Sequence, residues 1–185
     1  MRALLIALLF FPAFVSGVHA ASEQTETSFK LTVTAYNAVA AQTSNNRPHI
    51  TASGTSANPQ TVAAVAPRLL KKLPFGTVVR IETKKMAAQP RSCGIRHVQH
   101  LIGDRVVADT MAPSAQGVDV LMPKRALVTL PNGRRVNPAV ALGFCREVSV
   151  KVVAHINIHD PKRLPRTQAE LIAMVREQQQ ANGDE

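Results

Sequence analysis

Phe29, Leu31, Val33 and Ala35 alternate with Lys30, Thr32, Thr34 and Tyr36, the two-residue period of a strand with one buried face. Residues 37–59 break that pattern with Asn45-Asn46, Ser53-Gly54 and Asn58-Pro59, and read as a long polar loop. Val62 to Ala66 is a short apolar run suited to a buried strand; Pro67 to Leu73 has room for one or two helical turns. After the turn Pro74-Phe75-Gly76-Thr77, Val79 and Ile81 alternate with Arg80 and Glu82. Val107 and the run Val118-Val120-Leu121 read as strand ends, with Pro113, Ser114 and Gly117 forming a turn between them. Leu127 to Leu130 and Arg134 to Val136, joined by Pro131-Asn132-Gly133, predict a hairpin. Val148, Val150, Val152, Ala154, Ile156 and Ile158 share one face of the clearest strand. Beyond Pro161, Thr167 and Glu170 form a capping box that opens a helix through Gln180, with Leu171, Ile172, Met174 and Val175 to pack it down. No internal repeat is evident. Six or so short strands with little helix predict a mainly β chain folded as a small barrel.

The N-terminus adds a compartment. Met1-Arg2 is followed by an apolar run from Ala3 to Phe11, no further charge occurs before Glu23, and Val18-His19-Ala20 supplies small residues for cleavage. These are the three regions of a secretory signal, so residues 1–20 are expected to direct export to the periplasm. The run is too short to span a bilayer comfortably, and Pro12 interrupts it. No stable membrane insertion is therefore expected. In an oxidising space Cys93 and Cys145 are expected to pair, closing a loop of 52 residues (145−93); that closure is worth roughly 4 kcal/mol on the chain-entropy model. The competing reading is a metal- or redox-responsive site built on Cys93, His97, His100 and Cys145, whose spacing matches no standard zinc pattern.

Charge narrows the partners. The chain has 22 Lys and Arg against 12 Asp and Glu, for a formal net charge of +10. Nucleic acid is the usual partner of such a balance, but export argues against it, and one Tyr with no Trp leaves little for base stacking. Outside the cytoplasm the polyanions are carboxylate-bearing peptidoglycan and anionic lipid head groups. Asp109 and Asp119 lie ten residues apart (119−109), each among apolar β-formers, so paired strands bring two carboxylates to one region of surface. A carboxyl near another, or in an apolar setting, is raised above its usual value of about 3.9 and can donate a proton and take one back.

Read in order, several segments resemble the three-aspartate domain, a small double-psi β-barrel of bacterial cell-wall proteins related to the membrane-bound lytic transglycosylase A group. They are Val33-Thr34-Ala35-Tyr36-Asn37, Ile50-Thr51-Ala52-Ser53-Gly54, Val65-Ala66-Pro67 and Pro74-Phe75-Gly76-Thr77, then Val107-Ala108-Asp109-Thr110, Gly117-Val118-Asp119-Val120 and Arg146-Glu147-Val148-Ser149-Val150. The resemblance implies a six-stranded double-psi β-barrel over residues 29–158, with short helical turns, insertions near 84–103 and 123–138, a linker at 21–28 and a helical tail at 159–185. It places Asp119 at the catalytic acid/base and Asp109 beside it; Thr51, Ser53, Gly54 and Thr110 fall along the substrate groove, with Tyr36 next to it. The chain departs from the pattern at Ala66, where the family's first aspartate is expected, and in Met111-Ala112-Pro113-Ser114, where a glycine-rich turn is expected.

Ordinary glycosidases need two carboxylates. A lytic transglycosylase manages with one, because the substrate's own 6-hydroxyl replaces water as the nucleophile, and that chemistry needs no metal or cofactor. The function expected is cleavage of the MurNAc–GlcNAc bond in peptidoglycan glycan strands, with a non-catalytic glycan-binding module of the cell envelope as the alternative. The sequence leaves the oligomeric state open.

Overall fold

The alternation at residues 29–36 becomes β1 (Ser28–Tyr36), the first strand of a closed barrel in the computed structural model, which describes residues 27–43, 47–83, 92–160 and 164–182. The expected signal, most of the linker and residues 84–91 of the first expected insertion lie outside the described residues. The other barrel strands are β2 (Val62–Val65), β3 (Thr77–Ile81), β4 (Asp104–Thr110), β5 (Val118–Leu121) and, after the hairpin strands β6 (Val128–Thr129) and β7 (Arg135–Val136), β8 (Cys145–His155). They close in the order β1-β5-β2-β4-β3-β8. The β1–β5 and β2–β4 pairs are parallel and the other four are antiparallel, so the expected mainly β, six-stranded mixed barrel is the observed fold.

One face of each strand fills the barrel. Val33, Ala63, Val65, Val79, Val107, Val118, Val120, Val148 and Val150 are all fully buried in one cluster. Small β-branched side chains suit a narrow lumen, and each buried valine contributes about 1.5–3 kcal/mol of transfer free energy. The alternate residues, Thr34, Tyr36, Ala64 and Asp119 among them, therefore stand on the outside.

Among the described residues, three α-helices cover the barrel. α1 (Ile95–Ile102) lies where the sequence reading had only an inserted loop around Cys93. Its signal was present: Ile95, Val98 and Ile102 follow the helical period and are all fully buried. α2 (Pro138–Leu142) was also unforeseen, although Asn137 caps it by accepting from the Ala139 N–H and Pro138 occupies its first turn. α3 (Gln168–Ala181) is the expected tail helix. Thr167 accepts from the Glu170 N–H at 3.2 Å, while the Glu170 carboxylate reaches the Arg166 N–H at 2.7 Å, one residue before the expected box partner. Leu171 and Val175 of α3 pack on Val78, Val106, Ile156 and Ile158. Ile156 and Ile158 lie past the end of β8 and stay buried because the helix covers them, so the apolar alternation outruns the strand.

The predicted hairpin is present but short, pairing Val128 with Val136 and Thr129 with Arg135. Cys93 and Cys145 form the expected disulfide, with their Cα atoms 4.7 Å apart. The bridge joins the chain before α1 to the first residue of β8, and both thiols are thereby withdrawn from the metal-site alternative. Beside α1, Arg105 is fully buried and donates to the Pro59 and Leu101 carbonyls. Its neighbour Asp104 accepts both arms of Arg80 at 2.8 Å. No described helix is long and apolar enough to cross a membrane.

Candidate functional site

Strand register alone brings the two aspartates together. Asp119 of β5 lies opposite Thr34 of β1 on one side and Ala64 of β2 on the other. Asp109 of β4 lies opposite the same Ala64 across the parallel β2–β4 pair. Both carboxylates thus flank one alanine on the outer face, and its methyl leaves room between them. The turn preceding Asp119 presses onto β1: a Cβ on Gly117, where φ is +97°, would sit 2.0 Å from the Thr32 carbonyl oxygen, so only glycine permits this approach.

The two carboxylates have different surroundings. Asp109 Oδ2 accepts from the Tyr36 hydroxyl at 2.7 Å, and Oδ1 accepts from the N–H of Ala52 at 2.8 Å and of Thr110 at 2.9 Å. Three donors, on two strands and one loop, fix its orientation. Asp119 receives one side-chain bond, from the Thr34 hydroxyl to Oδ1 at 2.8 Å, and Oδ2 has no hydrogen-bond partner among the described residues. Burial raises the Asp119 carboxyl from its ordinary 3.8 to about 6; the Thr34 bond opposes that rise and the Asp109 charge adds to it. The Tyr36 hydroxyl is driven well above its ordinary value by burial, then by the Asp109 charge and its hydrogen bond. It stays a neutral donor throughout the working pH range.

Of the remaining expected groove residues, Thr51, Ser53 and Gly54 sit in the loop before β2 and Thr110 ends β4. Thr51, Ser53 and Thr55 share hydroxyl contacts of 2.9–3.1 Å, and Thr51 is only 3 % exposed, so its hydroxyl is engaged in shaping the loop. Gly54 has a φ of +84° at the loop tip. Ser53 donates its N–H to the Ala108 carbonyl at 3.0 Å, beside the Ala52–Asp109 contact. Thr110 contributes its backbone N–H to Asp109 rather than its hydroxyl. Ala66, where the resemblance expects a first aspartate, is fully buried, with its N–H bonded to the Gly117 carbonyl at 3.0 Å.

Thr34 and Ala64 were not singled out from sequence. Thr34 had a usable signal, since it lies two residues from Tyr36 on the same strand and so shares its face. Ala64 had none, because its role depends on which strands flank it.

A cavity of about 750 Å³ opens next to this patch. The loop from Ser53 to Pro59, Val106 and Ala108 of β4, and the segment leading into α3 form its walls, and neither aspartate lines it. No cluster of three or more His, Cys, Asp or Glu side chains able to hold a metal occurs among the described residues. In comparisons with known proteins, no family model and no curated protein matches this chain.

Proposed function

We propose that this chain is an exported peptidoglycan-active protein of the three-aspartate barrel type that cleaves the MurNAc–GlcNAc bond as a lytic transglycosylase, with Asp119 as its single acid/base. The observation that carries the reading is Asp119 itself: an outward-facing carboxyl raised to about 6, oriented through one oxygen by Thr34 and with the other oxygen free to meet a substrate. Protonated, Asp119 gives its proton to the glycosidic oxygen as the bond from that oxygen to the muramic acid anomeric carbon breaks. The substrate's 6-hydroxyl oxygen then bonds to the same carbon, and its proton passes to the Asp119 carboxylate, restoring the acid and leaving a 1,6-anhydro end. Asp109 is a positioning residue in this scheme. It is locked by Tyr36, Ala52 and Thr110, and its charge helps hold the Asp119 proton in place. The formal charge of +10 suits a polymer bearing carboxylates.

The second reading, a glycan-binding module without cleavage, draws on the cavity, which offers a binding surface with neither carboxylate in its wall. Incubating the protein with purified sacculi and weighing the soluble products separates the two. Anhydro-muropeptides are expected. Hydrated reducing ends would make the protein a hydrolase, and sedimentation with sacculi without any product would establish the binding module.

A further inference from the structure

The cavity beside the aspartates has a composition that the cleavage scheme does not use. Its wall includes the apolar side chains Val106, Ile158 and Leu164. Ser56, His159 and Arg166 also line it, all three exposed, and none of their side chains has a hydrogen-bond or charge partner among the described residues. Glu170, the nearest acid on α3 in sequence, is held at the Arg166 N–H and does not neutralise the guanidinium through any described contact. The walls are fixed before any ligand arrives: the Asn58 amide donates to the Arg166 carbonyl at 2.9 Å, and the Thr61 hydroxyl to the Pro165 carbonyl at 3.3 Å. An apolar lining with an unpaired guanidinium, an imidazole and a hydroxyl, in a volume of about 750 Å³, suits a short acidic peptide better than a bare sugar.

We propose that this cavity binds the carboxylate-bearing peptide stem of peptidoglycan, with Arg166 taking a stem carboxylate, His159 and Ser56 taking amide or carboxylate oxygens, and the apolar side chains meeting the alanine methyl. The inference rests on the peptidoglycan reading above and adds to it a preference for stemmed over denuded glycan. Geometry links the two places: in one loop, Ala52 bonds Asp109 while the next residue, Ser53, lines the cavity. A stem seated there leaves its sugar over the aspartates. The segment that completes the cavity, Leu164 to Arg166, comes from the tail beyond the barrel.

The test uses the mature full chain and a free probe, N-acetyl-L-alanyl-D-glutamate, titrated by calorimetry and by amide chemical shifts. Saturable binding is expected, with shifts at Ser56, Val106 and Ile158, weakened roughly tenfold in Arg166→Gln and largely kept in Arg166→Lys. Ser56→Leu, which crowds the rim at an exposed position, should weaken it as well. The probe has no glycosidic bond, so its binding is independent of sacculus cleavage and should persist in Asp119→Asn. An absence of saturation, or equal affinity in Arg166→Gln and wild type, would overturn the assignment. Displacement of the probe by the unsubstituted disaccharide would overturn it too, by making the cavity a sugar subsite.

Discussion

The two halves of the barrel, β1 to β3 and β4, β5 and β8, share a plan, alternate strand by strand around the closed sheet, and differ in the side chains around the β2–β5 pair. Exchanging β1 with β4, β2 with β5 and β3 with β8 returns the same neighbours with the same pairing senses. The β2–β5 pair maps onto itself, and Ala64 faces Asp119 across it. The same exchange carries Thr34 opposite Asp119 onto Asp109 opposite Ala64. One half therefore presents a hydroxyl and a methyl where the other presents two acids. The backbone repeat supplies a nearly symmetric platform, and four side chains break the symmetry. The carboxyl on the exchange pair is left half-shielded with one donor, whereas its counterpart across the sheet is held by three. The chemistry proposed for Asp119 depends on that inequality.

The largest effect should come from removing the acid. Asp119→Asn keeps the acceptor for Thr34 but can neither give nor take a proton, so sacculus cleavage should fall by roughly 10²–10⁴-fold with binding retained. Wild-type turnover in this variant would end the catalytic assignment. Next in size is the tie between the halves. The β3–β4 connection, which joins them, is anchored to β8 by the Cys93–Cys145 bridge across 52 residues. Replacing both cysteines by Ala should lower unfolding free energy by about 4 kcal/mol on the chain-entropy model, read from denaturant midpoints. A change within error would mean that the inserted segment stays ordered without the bridge. Making the halves more alike should also be costly. Ala64→Asp places a third carboxylate at a position only 2 % exposed, between the other two. It should destabilise the barrel by roughly 3 kcal/mol at pH 7 and less as the pH is lowered and the group is protonated.

The barrel was readable from sequence and its site only in part, for a physical reason. Strand alternation reports which residues face the lumen, and Val33, Val118, Val120 and Val148 went where their period put them. Strand order is a non-local property. Nothing in the run Val62 to Val65 says that β4 will lie on one side and β5 on the other, so the role of Ala64 was invisible. The two-fold plan left no repeat in the chain because only the backbone pairing is shared, with Thr34 matched to an aspartate and Ala64 to another. The helix from Ile95 to Ile102 is a different case. Its period was written in the sequence, but Cys93, His97 and His100 drew attention to ligand spacing.

Stability should depend on pH through Asp119. Its folded value, about 6, lies above the ordinary 3.8, so the folded state binds the proton more tightly than the unfolded chain. That contribution is fully present below about pH 4 and is lost as the pH rises through about 6, for a total of at most about 3 kcal/mol. In the wild type, urea midpoints should therefore fall across this window relative to those of Asp119→Asn, which has no charge to bury. The variant should be the more stable protein at pH 7, and parallel pH profiles for the two would show that Asp119 is not shielded as described.

The smallest effect expected is also the most specific test of the inequality between the two acids. Asp109 raises Asp119 by its charge, but it is the least of the three influences, behind burial and the opposing Thr34 bond. Removing the charge in Asp109→Asn makes proton loss from Asp119 easier, so the folded pKa of Asp119 should move down, and with it the alkaline limb of a cleavage profile, where the acid loses its proton. The optimum shifts to lower pH by well under one unit, because burial by the barrel wall is untouched. The substitution also leaves the Tyr36 hydroxyl and the Ala52 N–H facing a weaker acceptor, which should cost about 1–2 kcal/mol of stability. Tyr36→Phe separates these consequences: it removes a bond to Asp109 without removing the charge, so it should cost stability and leave the cleavage profile where it was. If Tyr36→Phe moved the profile as far as Asp109→Asn does, the influence on Asp119 would run through the position of Asp109 and not through its charge.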